Sequence, residues 1–238
     1  GSLENRARIH LEIIKKCREE VGNDFAISIK MNSADFQKGG FSPEDSIQVA
    51  KLFSDSGIDN IEISGGTYEQ PRLLGLDKVS INPKRSENRK ESTIAREAYF
   101  LSYAEEIAKV VNIPLMVTGG FRTKEGMEAA LRDGACEIVG VGRPLCANPY
   151  AIKELLAGKI DELPKYEKTL SIGPWWLSPT SPFRLIQAIN AFSAQAWFYQ
   201  QIKKMGKGSM PDLNLKPWKA FREDAKADQE AIKEYQNF

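Results

Sequence analysis

The chain has 238 residues, with 33 Lys and Arg against 32 Asp and Glu and a formal net charge of +1. An apolar share of 42% is ordinary for a globular chain that can bury a sizeable core, and the length fits one or two domains, a single α/β barrel included. The balanced charge argues against nucleic acid or an anionic membrane as partner, and no apolar run approaches the roughly 20 residues of a membrane-spanning helix.

The first predicted element is an amphipathic helix over residues 3–21, with Leu3, Ala7, Leu11, Ile14 and Cys17/Arg18 on one face. Gly22-Asn23-Asp24 breaks it, and residues 25–31 read as a strand. Ser42 caps a second helix, Pro43 suits its first turn, and Glu44 and Asp45 complement its dipole. Ile47, Ala50 and Phe53 form its buried stripe, Gly57 suits its stop, and residues 58–64 make the next strand. Residues 65–92 are a long polar segment, of the kind that is usually functional. A helix follows over 93–111, a strand over 113–118, a Thr123-capped helix to Arg132, a strand over 136–141 and a helix over 150–157. Residues 164–182 are irregular and carry Trp175-Trp176, for which packing over a barrel end is the expected use. Residues 182–204 read as a largely apolar helix with Leu185, Ile189, Phe192 and Trp197 inward, and a polar, charged segment closes the chain.

Short apolar strands alternating with helices predict a parallel sheet, either a βα-barrel or a doubly wound sheet. Thr118-Gly119-Gly120-Phe121 and Val141-Gly142-Arg143-Pro144 each follow a predicted strand, and the two strands are consecutive. Glycines let backbone N–H groups approach an anion, an Arg adds a bidentate contact, and barrels often hold phosphate on the last two strand loops. Lys30 interrupts an apolar strand near its C-terminal end, where a barrel places its active site, and Glu62 on the next strand is its expected ion-pair partner. His10 is the sole histidine, and three widely spaced cysteines lack any CxxC; both argue against a zinc cluster or other metal site, and the cysteines favour a reducing cytoplasm over a disulfide framework.

The segments Gly1–Arg8, Ile29–Phe36, Gly39-Gly40-Phe41, Ile63–Glu69, Val117–Thr123 and Val141–Leu145 resemble, in unbroken order, the old yellow enzyme family of FMN-dependent NADH:flavin oxidoreductases and ene-reductases. The resemblance runs to about Leu163. It implies a TIM barrel with FMN at the C-terminal strand ends. Gly119, Gly120 and Phe121 match the phosphate loop after strand seven, Gly142 and Arg143 the loop after strand eight, and Lys30 the cation beside the flavin pyrimidine ring. NAD(P)H would reduce the flavin, which would pass hydride to an activated alkene.

The resemblance also places Gly1-Ser2 after the family's fourth strand, so the expected fold is about the last four βα units of a (β/α)8 barrel over residues 1–163, with a helical extension over 164–238. The family's substrate-binding His pair or His/Asn pair and its Tyr proton donor fall upstream, so this chain carries no catalytic residue of its own and is expected to be inactive alone. Its expected partners are an N-terminal half-barrel or a second copy that closes the barrel, and a small-molecule substrate. Two other readings are another phosphate-binding barrel enzyme using Lys30, and a non-catalytic binding fragment using the Trp-bearing tail.

Overall fold

A computed structural model describes residues 1–35, 39–65 and 100–236. The motif residues Phe36 and Gly66–Glu69, most of the long polar segment and the start of the expected 93–111 helix lie outside the described residues.

By compactness the chain forms two units, divided between Val141 and Gly142 among the described residues. The first contains α1 (Leu3–Val21), β1 (Ser28–Asn32), α2 (Pro43–Asp55), β2 (Asn60–Ser64), α3 (Leu101–Ala108), β3 (Leu115–Thr118), α4 (Lys124–Arg132) and β4 (Ile138–Gly140). The strands pair in parallel in chain order, β1-β2-β3-β4. Sequential parallel strands joined through helices are the βα repeat of a TIM-type barrel.

Local chemistry sets the helix starts. Ser42 Oγ accepts from the Asp45 N–H at 3.1 Å, and Thr123 Oγ1 accepts from the Gly126 N–H at 3.1 Å, each satisfying a first-turn donor that the helix cannot. Gly57, with φ 87°, carries the chain out of the turn after α2.

Side chains alternate along each strand. Met31, Ile61, Ile63, Leu115 and Val117 are buried against Ile14 of α1, Val49 and Phe53 of α2, Leu101 and Ile107 of α3, and Ala130 of α4. The other face is not a second apolar layer. It carries Ser28, Lys30, Asn32, Asn60, Glu62, Ser64, Met116 and Thr118, and its Ile138 is exposed. Apolar burial of these strands is therefore found on the helix face alone.

Strands start later than their apolar runs. Asp59 Oδ2 takes the Ile27 N–H at 2.7 Å, and Arg18 takes the Phe25 carbonyl at 2.7 Å, so the segment before β1 bonds to side chains and Phe25 is left exposed.

The second unit contains the short helices α5 (Arg143–Ala147) and α6 (Ala151–Leu156), 3-10 turns at Tyr166–Lys168 and Trp175–Leu177, and the long α7 (Arg184–Gly206) and α8 (Pro217–Gln236). Its core gathers Ala147, Leu170, Ala196, Trp197, Leu215 and Ala220. Compactness thus groups α5 and α6 with α7, and the division falls earlier than the expected 163/164 boundary, which follows family resemblance rather than packing.

One expectation for this unit is corrected. Trp197 is buried, but Leu185 and Phe192 are 70% and 55% exposed. The buried stripe of α7 runs instead through Asn190, Ser193, Trp197 and Gln201. Asn190 accepts from the Ile172 N–H and donates to the Leu177 carbonyl, while Gln201 accepts from the Asp212 N–H and donates to its carbonyl. The irregular segments around α7 carry backbone groups that need polar partners, so polar residues occupy its inner face. Trp175 and Trp176 are 86% and 52% exposed on the 3-10 turn.

Candidate functional site

The two ends of the sheet differ chemically. At the N-terminal ends, side chains bond the chain as it enters each strand. Asp59 holds Ile27, Asn60 donates to the Pro114 carbonyl at 3.0 Å, and Glu137 accepts from the Leu115 N–H at 2.8 Å. Asp59 titrates below the ordinary carboxylate value because the Ile27 N–H, and then Arg18, favour its charged form.

The C-terminal ends are built from small groups and unsatisfied hydroxyls. Ser33 follows β1 and is fully buried, its N–H on the Ser64 carbonyl at 2.6 Å and its Oγ without a partner. Gly65 follows β2, where an added Cβ would lie 2.5 Å from the Phe100 ring and 3.1 Å from Ser33 Oγ. Thr118 ends β3 with its Oγ1 buried and unpartnered. Gly119 and Gly120 follow with φ 119° and 95°, conformations that side chains disfavour. Gly140 ends β4 opposite Thr118, and an added Cβ there would fall 1.8 Å from Thr118 Oγ1.

Lys30 and Glu62 occupy facing register positions on the open face and form an ion pair, with side-chain exposures of 55% and 19%. Glu62 faces Met116 in the next strand, so Lys30, Glu62, Met116 and Thr118 share one sheet face. One step toward the N-terminal end, Ser28 Oγ donates to Asn60 Oδ1 at 2.8 Å.

Phe121 is 1% exposed, its ring in the core, so it can support the glycine loop but offers no ring face. The buried Arg122 donates to the Phe121 carbonyl at 2.7 Å and fastens the end of that loop. Gly142 and Arg143 belong to the second unit, where Arg143 lines a cleft of about 110 Å³ with Glu167, Leu170, Gln187 and Phe198. Cys146 sits one turn further along α5, and burial pushes its thiol up. Among the described residues, no group of three or more His, Cys, Asp or Glu could hold a metal ion, and no helix is long and apolar enough to cross a membrane.

Of the sequence-derived site residues, the sheet brings Lys30 onto the same face as Thr118, from which Gly119 and Gly120 lead. It does so with Glu62 attached. The orphan hydroxyls of Ser33 and Thr118 received no individual role from sequence. The available signal was alternation, which puts Thr118 on the face of Lys30, and its strand-end place before two glycines. An unsatisfied buried hydroxyl, a glycine that leaves it room and a glycine turn suited to close backbone approach are the donor chemistry that a phosphorylated polar cofactor needs.

The sequence profile of the NADH:flavin oxidoreductase / NADH oxidase family matches residues 1–162. The NADH-dependent flavin oxidoreductase iliE of Hypocrea jecorina (strain QM6a) is 39% identical over 161 residues, covering 66% of this chain and 37% of that protein. The NADH-dependent flavin oxidoreductase iccE of Talaromyces variabilis is 32% identical over 212 residues, covering 87% of this chain and 48% of that protein. Among solved structures, 2-naphthoyl-CoA reductase in complex with 2-naphthoyl-CoA superposes with a TM-score of 0.55 at 28% identity, over 68% of this chain and 23% of that one. The chain thus spans less than half the length of each of these relatives.

Proposed function

Because the chain belongs to the NADH:flavin oxidoreductase / NADH oxidase family, the old yellow type its motifs resemble, we propose that it supplies the phosphate-binding and flavin-facing half of an FMN-dependent oxidoreductase that uses NAD(P)H. The observation that carries this reading is the C-terminal end of β3. There the unpartnered Thr118 hydroxyl leads into two glycines of positive φ, on the sheet face that carries Lys30. Family membership leaves no support for a Schiff-base barrel enzyme, and the engagement of Lys30 with Glu62 does not favour one either.

When bound, FMN would supply the hydride chemistry, taking two electrons from the nicotinamide and delivering them to a small-molecule acceptor such as an activated alkene. The chain's own residues bind and orient. Gly119 and Gly120 let the backbone come close to the phosphate, and Thr118 Oγ1 offers a hydrogen bond. Arg143 adds a planar cation, and Lys30 opposes the negative charge of the reduced ring. Phe121 and Arg122 hold the loop from behind.

A complement belongs to this proposal. Among the described residues β1 pairs only with β2 and β4 only with β3, and the face holding Lys30 and Glu62 is partly open. Parallel sheets are normally covered on both faces and closed at both edges in barrels. An N-terminal half-barrel, or a second copy in its place, would supply both the cover and the acceptor-side groups. The separated free cysteines suit a reducing cytoplasm.

Titrating the chain with FMN and following flavin fluorescence tests the reading. Saturable quenching is expected, retained in a Trp175→Ala control and weakened by Arg143→Gln. Fluorescence unchanged by the chain would overturn it.

A further inference from the structure

We propose that Glu62 sets how much of the Lys30 charge a bound flavin experiences, which makes it a positioning residue for the redox balance of the cofactor. The inference rests on the FMN reading above and deepens it.

Lys30 and Glu62 face each other in the β1–β2 register on the open side of the sheet. The carboxylate is the less exposed member and the lysine the more exposed one, so Glu62 is the anchor and Lys30 the reach. The pair is not needed to hold the strands together. Four other register pairs join β1 to β2, and the neutral Ser28–Asn60 bond links them on the same face. A partly solvated ion pair adds little to stability.

Its consequence lies in the field it projects. An isolated ammonium would favour an anionic ligand over a neutral one. With a carboxylate in contact, the net charge is zero and the potential falls off as that of a dipole, faster than that of a single charge. Reduced FMN carries negative charge on its ring and oxidised FMN does not. The balance within this pair therefore sets the ratio of the two affinities, a potential in chemical terms.

The test measures binding of oxidised FMN and of dithionite-reduced FMN to the wild-type chain, Glu62→Gln, Lys30→Met and the double variant, with circular dichroism to confirm folding. Glu62→Gln should raise the reduced-to-oxidised affinity ratio about tenfold, or ~30 mV for a two-electron couple. Lys30→Met should lower the ratio, and the double variant should return toward wild type, because each removal leaves one charge uncompensated and both together leave none. A pair with a purely structural role would weaken both affinities together in every variant.

An unchanged or lowered ratio in Glu62→Gln, or single variants that shift the same way, would overturn this inference while leaving the FMN reading intact. Absence of FMN binding to the wild-type chain would overturn both. Were Glu62→Gln to misfold, Lys30→Met alone must still lower the ratio, and its failure to do so is equally fatal.

Discussion

Replacing Gly140 with alanine tests the packing of the strand ends directly. The new Cβ would lie 1.8 Å from Thr118 Oγ1 and 2.8 Å from both Thr118 Cβ and Met116 Cε. The methionine end can move aside. The threonine cannot easily do so, because its Cβ sits on β3 in register with Gly140 and branching restricts its χ1. Either the backbone of β4 moves away or Thr118 adopts a poor rotamer, and overpacking of this kind costs about 1–3 kcal/mol. With a urea slope of about 2 kcal/mol/M, the midpoint should fall by roughly 0.5–1.5 M in circular-dichroism titrations. Gly142→Ala is the matched control, because nothing lies within 4 Å of its added Cβ and its φ is −117°. Adding Thr118→Ala to Gly140→Ala removes the nearest oxygen and should recover part of the loss, giving a coupling of about 0.5–3 kcal/mol. Equal midpoints for Gly140→Ala and Gly142→Ala would refute the reasoning.

Four further outcomes are expected. Arg18 donates to the Gly22, Phe25 and Gly57 carbonyls at 2.7–2.9 Å and pairs with Asp59, so Arg18→Ala should lower stability by about 1–3 kcal/mol in urea melts; an unchanged midpoint would remove it from the framework. The Asp59 carboxyl is held below its ordinary 3.8 by the Ile27 N–H and Arg18, so its contribution is present above that value and is lost as pH falls through the lower folded pKa; acid titrations of Asp59→Asn should lack that part of the decline. Burial raises the Cys136 thiol from 9.0 to about 11, so stability should fall as pH rises from 9 toward 11, where only the unfolded thiol ionises, and mass spectrometry after alkylation at neutral pH should find Cys17 modified and Cys136 protected. Gly120, at φ 95°, should lose at least tenfold in FMN affinity as alanine by fluorescence titration, since about 1–3 kcal/mol of backbone strain would distort the loop.

What sequence could foretell followed from whether a residue's role was local. Ser42 and Thr123 cap helices because the groups they satisfy lie three residues away, and both were legible. Lys30 and Glu62 were legible as partners because each breaks an apolar alternation at the same depth of its strand. The inner face of α7 was not. Its buried Asn190 and Gln201 bond segments 11–18 residues distant, so hydropathy pointed outward instead, to Leu185 and Phe192. The start of β1 was misjudged for the same reason. Arg18 and Asp59 claim the backbone around Phe25 and Ile27, and neither bond is visible in the apolar run itself.

These particulars explain why the candidate site lies where it does. The sheet is stabilised from its helix side and its N-terminal ends, where Asp59, Asn60 and Glu137 satisfy backbone groups that the ladder leaves open. Stability thus comes from groups remote from the C-terminal ends, and those ends can keep features that cost stability. Two buried hydroxyls without partners work against the folded state unless something binds there. In a barrel the C-terminal face is the one that holds ligands. A ligand that fills the hydroxyl bonds of Ser33 and Thr118 would recover what they now forfeit, and by mass action that recovery would appear as tighter FMN binding and a larger stabilisation of the first unit. Ser33→Ala and Thr118→Val should therefore raise stability without FMN while lowering the gain on adding it. Melting curves with and without FMN would show this as a narrowed gap, and a gap as wide as in the wild-type chain would show that neither hydroxyl meets the ligand.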